Sequence, residues 1–222
     1  MRIIIAGGHG KIALRLERLL GGQALGLVRN PAHLADVQAT GARAALCDLE
    51  RADVEEVAEL LEGADAAVFA AGAGLGSGAA RKDTVDRAAS ALLADAAERA
   101  GVRRFVQISS MGAGKPARPG SDPGGDPGSD EVWAAYLKAK TEAEEDLRRR
   151  DLDWTILRPG SLTDEPGTGR VLLAPGAPRG SVPRDDVAAV IAALLQEAAG
   201  IGRVLELVSG GTPIPDAIRA LP

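Results

Sequence analysis

Tyr136 is the only tyrosine of the chain, and Lys140 follows it one helical turn later in YLKAK. On a helix this spacing puts both side chains on one face. An ammonium held beside a phenol favours the phenolate, which makes a tyrosine a usable proton donor and acceptor near neutral pH. Upstream, Ser109 and Ser110 close the segment RFVQISS. If that segment is a strand, the serines stand where it opens, and a hydroxyl there can steady a substrate oxygen while a tyrosine exchanges its proton. Plainer uses remain open for the same residues. Serines cap helices and form turns, and Tyr136 can pack beside Trp133 on an amphipathic helix.

Composition removes most competing chemistries. The 222 residues are 45% hydrophobic and 26% charged, the balance of a globular protein, and the length suits one domain over residues 1–222. A net charge of −5 gives no basic footprint for nucleic acid, and no apolar run is long enough to span a bilayer, so neither nucleic acid nor membrane is an expected partner. Arg2 leads straight from Met1 into an apolar run, so no signal peptide is expected and the expected setting is cytoplasmic. Cys47 is the only cysteine, which excludes an intrachain disulfide and a cysteine-clustered metal. His9 and His33 are the only histidines, which argues against a histidine triad or zinc site, and no metal is expected. Tyrosine, lysine, serine and carboxylates are left for chemistry.

The elements that must position these groups begin at the N-terminus. Ile3 to Ala6 is the short β-branched run of a buried parallel strand; Gly7, Gly8 and Gly10 follow, and Ile12, Ala13, Leu16, Leu19 and Leu20 recur at helical spacing. Strand, glycine turn and helix form the context of a dinucleotide site. Gly7 can turn tightly out of the strand, Gly10 lets backbone N–H groups approach a pyrophosphate, and Ala13 lets the helix lie close on the sheet. Gly7, Gly8, His9, Gly10, Lys11 and Ile12 are therefore candidate cofactor-binding residues, against the alternative of a turn serving only the fold. Gln23 to Val28 reads as a second strand, weakened by Gly26 and ending at Arg29. There an arginine suits a ribose 2′-phosphate, where an acid would favour a free hydroxyl. NADP(H) is thus the preferred cofactor and NAD(H) the possible one; a solvated arginine ending a strand is the alternative. Asp48 and Leu49, after a third strand at 42–46, fit the adenine edge or simply a turn. Ala70, Ala71 and Gly72, after a fourth strand at 66–70, offer a small-residue floor for a cofactor.

A crossover loop at 73–78, an alanine-rich helix over 83–100, a fifth strand at 104–109 and a helix resuming at Trp133 continue the alternation. Between the last two, residues 112–131 have almost no apolar content, and we read them as a lid beside the site. A sixth strand at 153–157, a short strand at 171–174, a helix at 185–197, a strand at 204–208 and a terminal helix complete a doubly wound parallel α/β sheet. Only 112–131, 159–183 and the last twenty or so residues remain to hold a substrate, a short C-terminal region.

Taken together, GGHGKIA at 7–13, Arg29-Asn30-Pro31, Asp48-Leu49, GVRRFVQISSMG at 101–112, YLKAK at 136–140, DWTILRPGSLTDEPGTG at 153–169 and VPRDDVA at 182–188 are specific. The chain resembles the atypical short-chain dehydrogenase/reductases, in the small NAD(P)-binding group related to NAD-dependent epimerase/dehydratases, over nearly its whole length. The resemblance implies a Rossmann fold, a nicotinamide cofactor and a Ser-Tyr-Lys centre carried by Ser110, Tyr136 and Lys140. It implies that Lys140 also meets the nicotinamide ribose and that Pro159 lines the cofactor. In related enzymes an asparagine sits on the helix before the fifth strand; here that place falls on Asp86, which either pairs with Lys140 or supports the helix start. The C-terminal region is shorter than in sugar-nucleotide epimerases, which argues against a bulky nucleotide-sugar substrate. The leading expectation is an NADP(H)-dependent oxidoreductase of a small carbonyl or hydroxyl compound. An epimerase or dehydratase using the same centre, or an NADP(H)-sensing regulatory module without turnover, are the alternatives. The oligomeric state is left open.

Overall fold

The structure is a computed structural model describing residues 1–74, 77–116 and 129–221. In chain order the first half runs β1 (Ile3–Ala6), α1 (Lys11–Leu20), β2 (Ala24–Val28), α2 (Leu34–Gln38), β3 (Arg43–Leu46), α3 (Val54–Leu61) and β4 (Ala66–Phe69). Next come α4 (Ala79–Arg81), a π-helical segment at Lys82–Ala88, α5 (Ala89–Ala100), β5 (Arg104–Ile108), α6 (Ser129–Arg148) and β6 (Asp153–Pro159). The remainder is β7 (Ser161–Thr163), β8 (Arg170–Ala174), β9 (Ser181–Pro183), α7 (Arg184–Gln196), β10 (Arg203–Ser209), β11 (Thr212–Pro213) and α8 (Ile214–Arg219).

Nine strands form one sheet in the order β11-β8-β10-β6-β5-β4-β1-β2-β3. From β3 across to β10 all pairings are parallel, and β8 and β11 close that edge antiparallel. Alternation along β1 divides the core. Ile3 and Ile5 face a cluster with Leu16 of α1 and Val187 and Ile191 of α7, whereas Ile4 and Ala6 face Val57 and Leu61 of α3, Leu93 of α5 and Leu147 of α6. Both faces are covered, which is why the central strands read as unbroken apolar runs. The reversal of strand order at β1 and β4 opens a crevice at their carboxyl ends, the usual ligand position in such sheets.

Most differences from the sequence reading lie at element ends. The alanine-rich helix starts at Ala79 and includes the π-helical turn, which no residue periodicity announces. β7, β9 and β11 are too short to show alternation. Of the segment read as a lid, residues 112–115 form a turn and 129–131 begin α6, while 117–128 lie outside the described residues. Among the described residues no helix is long and apolar enough to cross a membrane.

Gly26, which should weaken β2, has a physical reason. A Cβ there would lie 2.3 Å from Oε1 of Glu17, and one on Gly8 would lie 2.9 Å from the same atom. Glu17 sits on the inner face of α1 at 0% exposure, with neither carboxyl oxygen hydrogen-bonded among the described residues. The two glycines make room for that carboxyl directly against the glycine turn.

Burial pushes the Glu17 carboxyl from its ordinary 4.5 up to about 8, opposed weakly by Arg18. Below pH 4.5 the group is protonated in both states and contributes no pH dependence. Between 4.5 and about 8 the unfolded chain has lost the proton that the folded chain retains, so stability must fall as pH rises, by up to ~1.4 kcal/mol per pH unit. Urea unfolding at pH 5 and pH 8 measures this; Glu17→Gln should flatten the decline, and an unchanged slope in that variant would show that the burial has no such consequence.

Candidate active site

The carboxyl ends of β4 and β5 are joined to α6 through a buried ion pair. Asp86, on the π-helical segment, is 0% exposed and stands 3.1 Å from Nζ of Lys140, itself 4% exposed. Lys140 Nζ also donates to the Ile108 carbonyl at the end of β5 (3.1 Å), and Oδ2 of Asp86 accepts from the Ala73 N–H beyond β4 (3.2 Å). Burial disfavours the ammonium, but Asp86, Tyr136 and Glu144 outweigh it and hold the Lys140 pKa above the ordinary lysine value. Of the two alternatives left open for Asp86, the structure shows the pairing with Lys140 rather than a helix-start contact.

Tyr136 and Lys140 do share one face of α6: Nζ lies 5.8 Å from the centre of the tyrosine ring. A second ammonium, that of Lys82, stands 5.4 Å from the same centre, and Trp133 stacks on the ring at 5.2 Å. The packing partner and the cation pairing therefore coexist on one residue. Ser109 and Ser110 diverge. Ser109 is buried and donates to Oε1 of Glu144 (2.6 Å), tying β5 to α6. Ser110, half-buried, is the one at the mouth, in the turn closed by the Ala113 N–H to the Ser110 carbonyl. Glu144 in turn receives a two-pronged guanidinium from Arg158 of β6, through Nε (2.8 Å) and Nη2, and Arg148 stands 3.6 Å away. Pro159 ends β6 beside the same turn, its carbonyl accepting from Met111.

The glycine turn is shaped for close backbone approach. Gly7 has φ +81°, and a Cβ on it would lie 2.6 Å from Cα of Ala71; one on Gly10 would lie 3.1 Å from the Gly7 carbonyl oxygen. Ala70 and Ala71 are thus a floor that excludes any side chain at Gly7, with Gly72 continuing it. The N-terminus of α1 at Lys11, Ile12 and Ala13 carries no side-chain cap and no acid in its first turn. Free N–H groups, no carboxylate and glycine-only spacing fit an anionic pyrophosphate, so the residues present accept a dinucleotide cofactor. Beyond β2, Arg29 Nη1 meets Oε2 of Glu50 (3.0 Å), which also binds Arg81 (2.7 Å), while its Oε1 takes the hydroxyl of Thr84 (2.8 Å). Burial is the largest single influence and raises its pKa, but Thr84, Arg81 and Arg29 together outweigh burial and keep the Glu50 carboxyl below the usual carboxylate range. Asp48 accepts from the Glu50 N–H, and Leu49 is half-buried beside it. His9 stacks on His33 with ring centres 3.6 Å apart and meets Asp36 at 2.8 Å. Lys11 reaches outward to Asp164 (2.6 Å). Glu50, Lys82, Arg81, Glu144 and Arg158 escaped the sequence reading. Nothing in their spacing marks them, because most of their partners lie on other elements, as with Glu144 of α6 and Arg158 of β6 or Glu50 and Arg81.

Residues 7–198 match the model of the NAD(P)H-binding family, and the chain belongs to that family. It is 34% identical to the Bacillus subtilis protein named "uncharacterized sugar epimerase YhfK" over the full length of both chains. The crystal structure of the oxidoreductase ylbE from Lactococcus lactis is similar with a TM-score of 0.83 and 28% identity, over 100% of this chain and 96% of that one. ChuY, an anaerobillin reductase from Escherichia coli O157:H7, is similar with a TM-score of 0.75 and 25% identity, over 94% and 97%.

The Glu144 cluster gives a direct expectation. Glu144 is 2% exposed, so Arg158→Met strands a buried carboxylate and should cost about 3–5 kcal/mol of stability in urea unfolding. Glu144→Gln combined with Arg158→Met should recover much of that loss. A loss in the double variant equal to the sum of the two single losses would mean the pair is not coupled.

Proposed function

We propose that this member of the NAD(P)H-binding family is an NADP(H)-dependent oxidoreductase of a small carbonyl or hydroxyl compound. The observation that carries the reading is Tyr136, the sole tyrosine, with its ring flanked by the ammonium groups of Lys82 and Lys140 beside a glycine turn that accepts a pyrophosphate. When bound, the cofactor supplies or accepts a hydride at its nicotinamide.

In this reading Tyr136 gives its phenolic proton to the substrate oxygen as charge develops there, and takes it back in the oxidative direction. Lys140, fixed by Asp86 and the Ile108 carbonyl, holds positive charge against the tyrosine ring and is placed to hydrogen-bond the nicotinamide ribose. Asp86 is a positioning residue: it acts through Lys140 and through the backbone of Ala73. Ser110 orients the substrate oxygen; Ser109, committed to Glu144, does not. Gly7 to Ile12 would hold the cofactor's pyrophosphate, Ala70 to Gly72 and Pro159 would line its path, and Asp48 and Leu49 would stand near the adenine. Epimerisation at the same centre is the second reading, favoured by the name of the Bacillus subtilis relative. It differs in returning the hydride to the substrate, with no net change in cofactor absorbance.

Arg29 is assigned to a ribose 2′-phosphate, which would draw its guanidinium from Glu50. Titration of NADPH and NADH should show NADPH bound tighter, and Arg29→Ala should cost NADPH alone roughly ten- to a hundredfold in Kd. Equal affinities in the unaltered protein would remove the assignment.

Tyr136→Phe removes one oxygen and keeps the ring that stacks on Trp133. It should lower kcat ~10²–10⁴-fold on any carbonyl substrate found by screening, with cofactor Kd nearly unchanged. Lys140→Met should lose turnover and weaken cofactor binding together. Turnover of Tyr136→Phe at the original rate would return Tyr136 to a packing role.

A further inference from the structure

Lys82 is a lysine that the reaction above does not use. It belongs to the π-helical segment and is only 8% exposed. Its Nζ donates to the Gly74 carbonyl (2.8 Å) beyond β4 and lies 5.4 Å from the centre of the Tyr136 ring. Buried lysines are rare without a carboxylate of their own, because an unpaired ammonium loses its hydration. Here the nearby Asp86 is taken by Lys140, and no ion pair reaches Lys82 among the described residues. Burial, with the like charge of Lys140, pulls its pKa below the ordinary lysine value, and Asp86 opposes them.

The local charge count sharpens the point. Lys82, Lys140, Arg148 and Arg158 bring four positive charges, while Asp86 and Glu144 bring two negative ones, and Glu144 is committed to Arg158, Arg148 and Ser109. One positive charge beside Tyr136 is left uncompensated, and the group that carries it has one of its three donors engaged by a neutral carbonyl. Among the described residues only the Gly74 carbonyl and the face of the Tyr136 ring meet this cation apart from the carboxylate it shares with Lys140, and an apolar residue of similar volume would pack without the desolvation cost. A ligand anion would complete it. With Nζ 5.4 Å from the centre of the tyrosine ring, an anion held by Lys82 lies close to a carbon whose oxygen exchanges the tyrosine's proton.

We propose that Lys82 binds the carboxylate of the substrate, so that the compound acted on is a 2-oxo or 3-oxo acid, or the matching hydroxy acid, rather than a neutral carbonyl. The inference rests on the oxidoreductase reading for the word substrate, but binding of the carboxylate can be measured without turnover. A charge-assisted hydrogen bond from a mostly buried ammonium is worth roughly ten- to a hundredfold in affinity.

Isothermal titration of oxamate, an unreactive analogue of a 2-oxo acid, into the protein saturated with NADPH provides the test, with methyl oxamate as the uncharged counterpart. The expected result is that oxamate binds at least tenfold tighter than its ester, that Lys82→Met brings the acid down to the level of the ester, and that Lys82→Arg retains most of the preference. NADPH affinity, measured in the same samples, should be unchanged in both variants. Equal binding of acid and ester by the unaltered protein overturns the proposal, as does an undiminished preference in Lys82→Met. The comparison of acid with ester in the unaltered protein needs no variant to fold. Full turnover by Tyr136→Phe with the acid preference intact would sink the tyrosine's role and leave the carboxylate site standing; loss of the preference with Tyr136→Phe inactive would do the reverse.

Discussion

An ion pair with both partners buried is the constraint from which the rest of this site follows. Taking Asp86 and Lys140 out of water costs several kcal/mol for each ion, and that is recovered only if the remaining donors and acceptors are met. Backbone meets part of this: Lys140 donates to the Ile108 carbonyl at the end of β5 and Oδ2 of Asp86 accepts from the Ala73 N–H beyond β4, while Oδ1 of Asp86 has the ion pair alone. Four segments distant in sequence are thereby held in one register. The helix that carries Asp86 widens into a π-helical turn over Lys82–Ala88, a form found mostly at functional sites. Lys82 shares that turn and also faces the Tyr136 ring. Satisfying one buried charge has thus placed a second, less satisfied one beside the tyrosine.

A second buried acid acts on the other half of the crevice by a different route. Glu17 forms no pair; it occupies space left by Gly8 and Gly26 and sits against the back of the glycine turn. Any ionisation of Glu17 would put negative charge directly behind a turn whose geometry suits an anion. Burial of Glu17, which holds its proton up to about pH 8, is therefore compatible with the turn's use. The two acids differ because one has a cation within 3.1 Å and the other has only glycine backbone and aliphatic neighbours. Beyond β2 a third arrangement operates: Glu50 is shared by Arg29, Arg81 and Thr84 and bridges the loops after β2 and β3 to the helix after β4.

The fold was legible where a local pattern had to be repeated. The β-branched run at Ile3–Ile5, glycines at 7, 8 and 10 and the spacing of Leu16 and Leu20 each encode a strand, a turn and a buried helix face through neighbours in sequence. Tyr136 and Lys140 were legible for the same reason, being one turn apart. Ser109 and Ser110 were not separable, since adjacent residues at a strand end point to opposite sides and only the partner, Glu144, reveals which is inward. Gly26 read as a weakness because its reason, Glu17, lies on another element. Lys82 had no signal at all: in a regular helix starting at Asp83 it would precede the helix, and the wider turn moves it onto the tyrosine.

Asp86 and Lys140 act as a unit, each retained for the other. A double-mutant cycle with Asp86→Asn, Lys140→Met and the combination, read as unfolding free energy in urea, tests it most directly. Each single change should cost about 3–5 kcal/mol by leaving its partner buried and unpaired, and the double change should cost far less than the sum, with a coupling of roughly 2 kcal/mol or more. Additive losses would contradict the account, because they would mean that the two charges stand close together without depending on each other.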